Sequence, residues 1–118
     1  MESALLVLPR KGLWVREKER IQLVPFEIIT HIHHRNGISK IFMGGDLLKK
    51  LRTPLCGLEK KMPESQFFRP HRNFIINKSF VDRYDKEKPV IHFVGGQKIP
   101  VSRRKKKHFE IFFTQSIH

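Results

Sequence analysis

Short alternations of apolar and polar residues run along most of the chain, separated by glycine, proline and asparagine. Arg20–Val24 alternates with the period of two that a half-buried strand requires, and Glu27–His33 repeats it, with Ile28, Thr30 and Ile32 against Ile29, His31 and His33. Pro25 separates the two runs. Leu5–Leu8, closed by Pro9, and Trp14-Val15 read as two further strands. Asn36-Gly37 joins the two residues most tolerant of positive φ, so His33–Ser39 is expected to reverse the chain into a strand over Ile38–Met43. Gly44-Gly45-Asp46 turns it again, into a strand over 47–52. Phe67–Arg69, Phe74–Ile76 and Phe80–Asp82 are β-prone, and Val90–Val94 folds through Gly95-Gly96 onto Lys98–Val101.

Two segments break this rhythm. Leu47, Leu51, Leu55, Leu58 and Met62 recur near a 3.6 period, but a single helix would enclose Pro54, which costs about 3 kcal/mol in a helix interior. Proline is harmless at the first helical position, so the pattern predicts a strand followed by a helix over Pro54–Met62 with Thr53 as its N-cap. Leu55, Leu58 and Met62 then face inward, and Glu59, Lys60 and Lys61 outward. Near the end, Ser102 is placed to cap a helix reaching about Phe113, whose Phe109, Phe112 and Phe113 fit one packed face, with Thr114–His118 frayed. No repeat or long linker divides the chain. The expectation is one mostly β domain over 1–118, with a short helix near 54–62 and a C-terminal helix near 102–113.

Charge changes the picture. The chain has 118 residues with 24 Lys+Arg against 11 Asp+Glu, a net +13, and so short a cation attracts polyanions. Residues 1–66 carry 12 basic and 7 acidic groups (+5), and residues 67–118 carry 12 and 4 (+8). The length allows one modest core and excludes a two-domain enzyme with an interdomain cleft. No apolar run approaches the roughly 20 residues that span a bilayer, and the start lacks the pattern of a secretory signal, so a cytoplasmic protein is expected. Cys56 is the only cysteine, which excludes an internal disulfide framework; it reads as a core filler.

Three clusters of donors stand out. Phe68-Arg69-Pro70-His71-Arg72-Asn73 places cationic and amide groups at a bend defined by proline: Arg72 has the fork for guanine, Asn73 the amide for adenine, and His71 a donor for phosphate. Equally, His71 can brace the turn and Asn73 can cap a local backbone group. Ser102-Arg103-Arg104-Lys105-Lys106-Lys107 collects five cations at the expected start of a helix, the end that disfavours them. Arg103 is placed to reach a base there, with Ser102, Arg104 and Lys105–Lys107 on phosphates. The hairpin tip carries Arg35 and Asn36, with Lys40 just beyond, and a β-hairpin fits a major groove about 12 Å wide.

Other chemistries are thinner. His31, His33 and His34 resemble a metal-binding tract but lack a spaced cysteine or carboxylate to complete a zinc site, so a small histidine-metal enzyme is the remote alternative. The glycine doublets lack the lysine and hydroxyl of a nucleotide-phosphate loop, and Asp82 and Asp85 sit among Arg83, Lys86 and Lys88 as surface pairs do. Neither enzyme activity nor a cofactor is expected. An RNA-binding β module would need exposed rings, whereas Phe67, Phe68, Phe74, Phe80, Phe93 and Phe109 lie in contexts that suit a core.

Between Phe67 and Lys107 the chain resembles the LytTR family of bacterial DNA-binding domains. The matching residues are Phe67, Arg69, His71, Arg72, Ile75, Ile76 and Asn77, then Ile99, Pro100, Val101, Ser102, Arg103 and Arg104. A weaker likeness extends upstream through Ile28–Met62. Asn73 stands where the family usually has serine, and Pro70 where it usually has an aliphatic residue. The resemblance implies an elongated, mostly β fold that regulates transcription by placing loops in successive major grooves of promoter DNA. It further implies base contacts from Asn36, Arg72 and Arg103, tandem half-sites with a homodimer on DNA, and a sensor or receiver domain that is either separate or missing from these residues.

Overall fold

The computed structural model describes residues 11–115. Ten strands pair antiparallel in three sheets. Strands β1 (Gly12–Arg16) and β2 (Ile21–Pro25) form a two-stranded ribbon. The central sheet contains β3 (His31–Arg35), β4 (Ile38–Met43), β5 (Asp46–Leu51), β6 (Phe67–His71) and β7 (Phe74–Asn77) in the order β5-β4-β3-β7-β6. The third sheet is β10-β9-β8, from β8 (Val81–Asp85), β9 (Val90–Phe93) and β10 (Lys98–Pro100). Helix α1 is Leu55–Glu59 and helix α2 is Lys106–Thr114. The molecule is elongated, 51 × 38 × 25 Å.

Side chains alternate across the central sheet, so it feeds two cores. Ile32 lies opposite Ile41 and Ile75, and this face packs with Leu13, Val15 and Val24 of the ribbon and with Leu55, Leu58 and Met62 around α1. Ile76 points the other way and joins Ile91, Phe93, Ile99, Val101 and Phe109. Phe109 holds α2 down: its ring meets Phe68, Tyr84 and Phe113 at centroid distances of 5.6, 4.9 and 5.5 Å. Burial and the acceptor Glu110, to which its hydroxyl donates at 2.9 Å, hold the Tyr84 phenol well above its usual range.

The hairpins follow their turn residues. Asn36 and Gly37 have φ of 52° and 77°, the left-handed pair that a two-residue hairpin loop needs. Gly44, with φ of 62°, begins the next reversal.

Several expectations are revised by the structure. The extended run expected over Glu27–His33 starts as a single 3-10 turn at Phe26–Ile28, and the strand begins at His31. The cause lies far away in sequence: the buried Asn77 amide donates to the carbonyls of Phe26 (3.2 Å) and Ile29 (2.9 Å), while its oxygen accepts from the Ser79 N–H. Helix α1 is shorter than Pro54–Met62, because Lys61 and Met62 bond three residues back and tighten the chain; Pro54, not Thr53, occupies the cap position. Cys56 is exposed, since Leu55 and Leu58 take the inward face. Ser102 makes no side-chain cap bond; a 3-10 turn over Arg103–Lys105 precedes α2. The bend expected at Pro70 takes the form of an irregularity inside the sheet: the β6–β7 register shifts between Phe68 and His71, and β6 resumes at His71 on the sheet's edge, where a missing N–H is tolerated. The candidate strand Leu5–Leu8 and residues 116–118 lie outside the described residues.

Candidate nucleic-acid interface

Two backbone hydrogen bonds tie the three donor clusters to one end of the central sheet. The His34 N–H donates to the Asn73 carbonyl at 2.8 Å, which sets the β3–β4 tip beside the β6–β7 turn. The Ser102 N–H donates to the Pro70 carbonyl at 2.9 Å, which sets the start of the basic segment beside that same turn. Sequence positions 36, 72 and 103 thus converge through strand pairing.

The Arg72-Asn73 turn is braced from both sides. The Arg69 guanidinium donates to the Arg72 carbonyl at 2.8 Å and pairs with Glu59 at 3.6 Å. The Asn73 N–H donates to Nδ1 of His71 at 3.1 Å, so a neutral His71 keeps Nε2–H as its donor. His71 therefore braces the turn, and it is the Asn73 main chain rather than its amide that closes it. Arg72 is exposed at its apex. A hollow of about 570 Å³ opens beside it, lined by Arg69, His71, Arg72, Ser102, Arg104 and Lys105, with Glu59 at its edge.

Arg103 stands exposed outside that hollow, as does Lys107, while Ser102, Lys105 and Lys106 are half-buried. At the hairpin tip Arg35, Asn36 and Lys40 are all exposed. The bracing parts of Arg69 and Glu59 had no signal in the sequence, because they depend on a long-range ion pair that has no local signature.

The three histidines are occupied otherwise than as ligands. His31 lies between Phe42 and Phe93, at centroid distances of 4.9 and 5.5 Å, and its burial lowers its pKa to about 4. His33 stacks on Phe74 at 4.3 Å; burial and then the charges of Arg35 and Lys40 hold its pKa below the usual imidazole value. His34 shares a hydrogen bond with Ser39 at 2.8 Å. Among the described residues no three His, Cys, Asp or Glu side chains are grouped to hold a metal ion, and no helix is long and apolar enough to cross a membrane. The phenylalanines weighed for RNA stacking are all buried or half-buried.

The family described as the LytTr DNA-binding domain matches residues 19–113. The sensory transduction protein LytT of Enterococcus faecalis is 30% identical over 100 residues, covering 81% of this chain. The chain spans 40% of the length of that relative. A solved LytTr DNA-binding domain from Bacillus cereus shares the fold with a TM-score of 0.73, at 19% identity, covering 88% of this chain and 97% of that one.

Proposed function

The chain belongs to the LytTR family of DNA-binding domains, and from that premise we propose that it binds double-stranded promoter DNA sequence-specifically, as the DNA-reading part of a bacterial transcription regulator. The observation that carries this reading is the convergence of three donor-bearing segments on one end of one rigid sheet. Asn36, Arg72 and Arg103 read bases. Arg35, Lys40, His71, Asn73, Ser102, Arg104 and Lys105–Lys107 hold the backbone and fix the register. The chemistry divides accordingly: a guanidinium reads guanine bidentately, whereas lysine ammoniums neutralise phosphates with little direction.

Selection of bound fragments from a random duplex pool at several salt concentrations tests ligand class and sequence preference together. Arg72→Ala and Arg103→Ala are expected to cost about 1–3 kcal/mol each and to relax preference at one position of the selected site. Lys107→Ala should instead weaken all sequences alike and make the salt dependence shallower by about one unit. A uniform, sequence-independent loss from the two arginine substitutions would refute the base-reading assignment.

A further inference from the structure

A second basic groove lies outside the three donor clusters. It runs between β1 and the β5–α1 segment, has a volume of about 730 Å³, and is lined by Trp14, Arg16, Lys50, Arg52 and Lys61 among other residues, none of them acidic. Among the described residues none of the four cations pairs with an acid; Glu17, close in sequence to Arg16, is taken by Lys49 and Arg20.

Strand register makes this charge costly. Lys40 and Lys50 are directly opposite one another across β4 and β5, and both are exposed. Like charges placed opposite each other on antiparallel strands destabilise a sheet. Such an arrangement is relieved when an anion sits over it.

One end of the groove lies on the hairpin-tip side of the sheet. Leu51 pairs with Ser39, and the Ser39 hydroxyl donates to the Thr53 carbonyl at 2.6 Å, which fixes Arg52 only a few residues' breadth from Asn36. Beside these cations stands Trp14, 70% exposed on the outer face of β1. The ring lines the same groove as the four cations, and its flat face and indole N–H suit a sugar-phosphate strand.

We infer that this groove seats the phosphodiester backbone of the same duplex beyond the base pairs read by the three loops, extending the footprint on the β4–β5 side. The inference rests on the DNA-binding reading above. It commits to a polyphosphate strand over an acidic peptide because Arg52, next to Leu51 in register with Ser39, brings the groove's cations to the same end of the sheet as the hairpin tip.

Trp14 is the sole tryptophan, so its emission reports the groove directly. The test uses the full chain and the duplex it selects, either with long flanks or trimmed stepwise from the end nearest the hairpin tip. With long flanks, Trp14 emission is expected to change on binding; after trimming, binding persists and the change disappears. The Lys50→Gln/Arg52→Gln variant should bind the long duplex about tenfold more weakly, with a log–log salt slope shallower by about two. Its preference for the selected sequence should be unaltered, and it should match the parent on the trimmed duplex. Its melting temperature should be unchanged or higher, because the Lys40–Lys50 repulsion is gone. Equal losses on both duplex lengths, or none on either, overturn the inference, as does Trp14 emission that responds to an acidic peptide but not to the long duplex. Failure of the parent chain to bind any duplex would instead refute the functional reading itself.

Discussion

Two buried polar residues show how single side chains shape this molecule. Asn77 is fully buried and spends its amide on the Phe26 and Ile29 carbonyls, so one side chain satisfies groups that the 3-10 turn leaves open. His31 is buried in the second core with Nδ1 unpartnered, and desolvation, reinforced by His33, lowers its pKa to about 4. Its native form is therefore neutral. In the unfolded chain the imidazole titrates near 6.5, so as pH falls from about 6.5 to about 4 the unfolded state takes up a proton that the native state refuses, and stability is lost across that window. Replacing the ring with phenylalanine, between Phe42 and Phe93, removes this term. Denaturant melts of His31→Phe should lose roughly 2–3 kcal/mol less than the parent between pH 7 and pH 4.5. An unaltered pH dependence would show that His31 is not the residue titrating there.

At the scale of elements, what could be read from the sequence was what is local. The reversal at Asn36-Gly37 follows from positive φ at two adjacent residues, and those at Gly44-Gly45 and Gly95-Gly96 from one glycine each, Gly44 and Gly96; the strands they join lie close to where the sequence pattern placed them. The 3-10 turn at Phe26–Ile28 was hidden, because Asn77, about fifty positions on, decides it. The start of α2 was misjudged for a related reason. Ser102 has the residue type and position of an N-cap, but its N–H is drawn to Pro70 of β6 and the chain tightens into a 3-10 turn before Lys106. A capping serine replaced by alanine costs about 1 kcal/mol. Since this hydroxyl makes no cap bond, Ser102→Ala should change unfolding free energy by less than about 0.5 kcal/mol. The same substitution should weaken duplex binding if the hydroxyl serves a phosphate. A loss of stability near 1 kcal/mol would restore the capping role.

The candidate site was legible as residue types but not as a place. Three donor clusters could be picked out from charge and turn chemistry, yet nothing in their spacing along the chain says that 36, 72 and 103 share one end of a sheet; the β3–β7 pairing and the Ser102–Pro70 bond supply that. The arrangement has a consequence for assembly. Every segment assigned to base reading comes from one chain, held by a sheet with a core on each face, so one copy should read a half-site without help from a second. A duplex carrying a single selected half-site should therefore bind one chain, and a tandem duplex two, as read by analytical ultracentrifugation. Lengthening the spacer by about 5 base pairs, half a helical turn, puts the two copies on opposite sides of the DNA. If each copy reads its own half-site, the affinity per site is unchanged by that rotation; a fall of tenfold or more would reveal copy–copy contacts that contribute to binding. Two chains on a single half-site, with no one-to-one complex at any concentration, would mean that the reading surface is completed only by a partner.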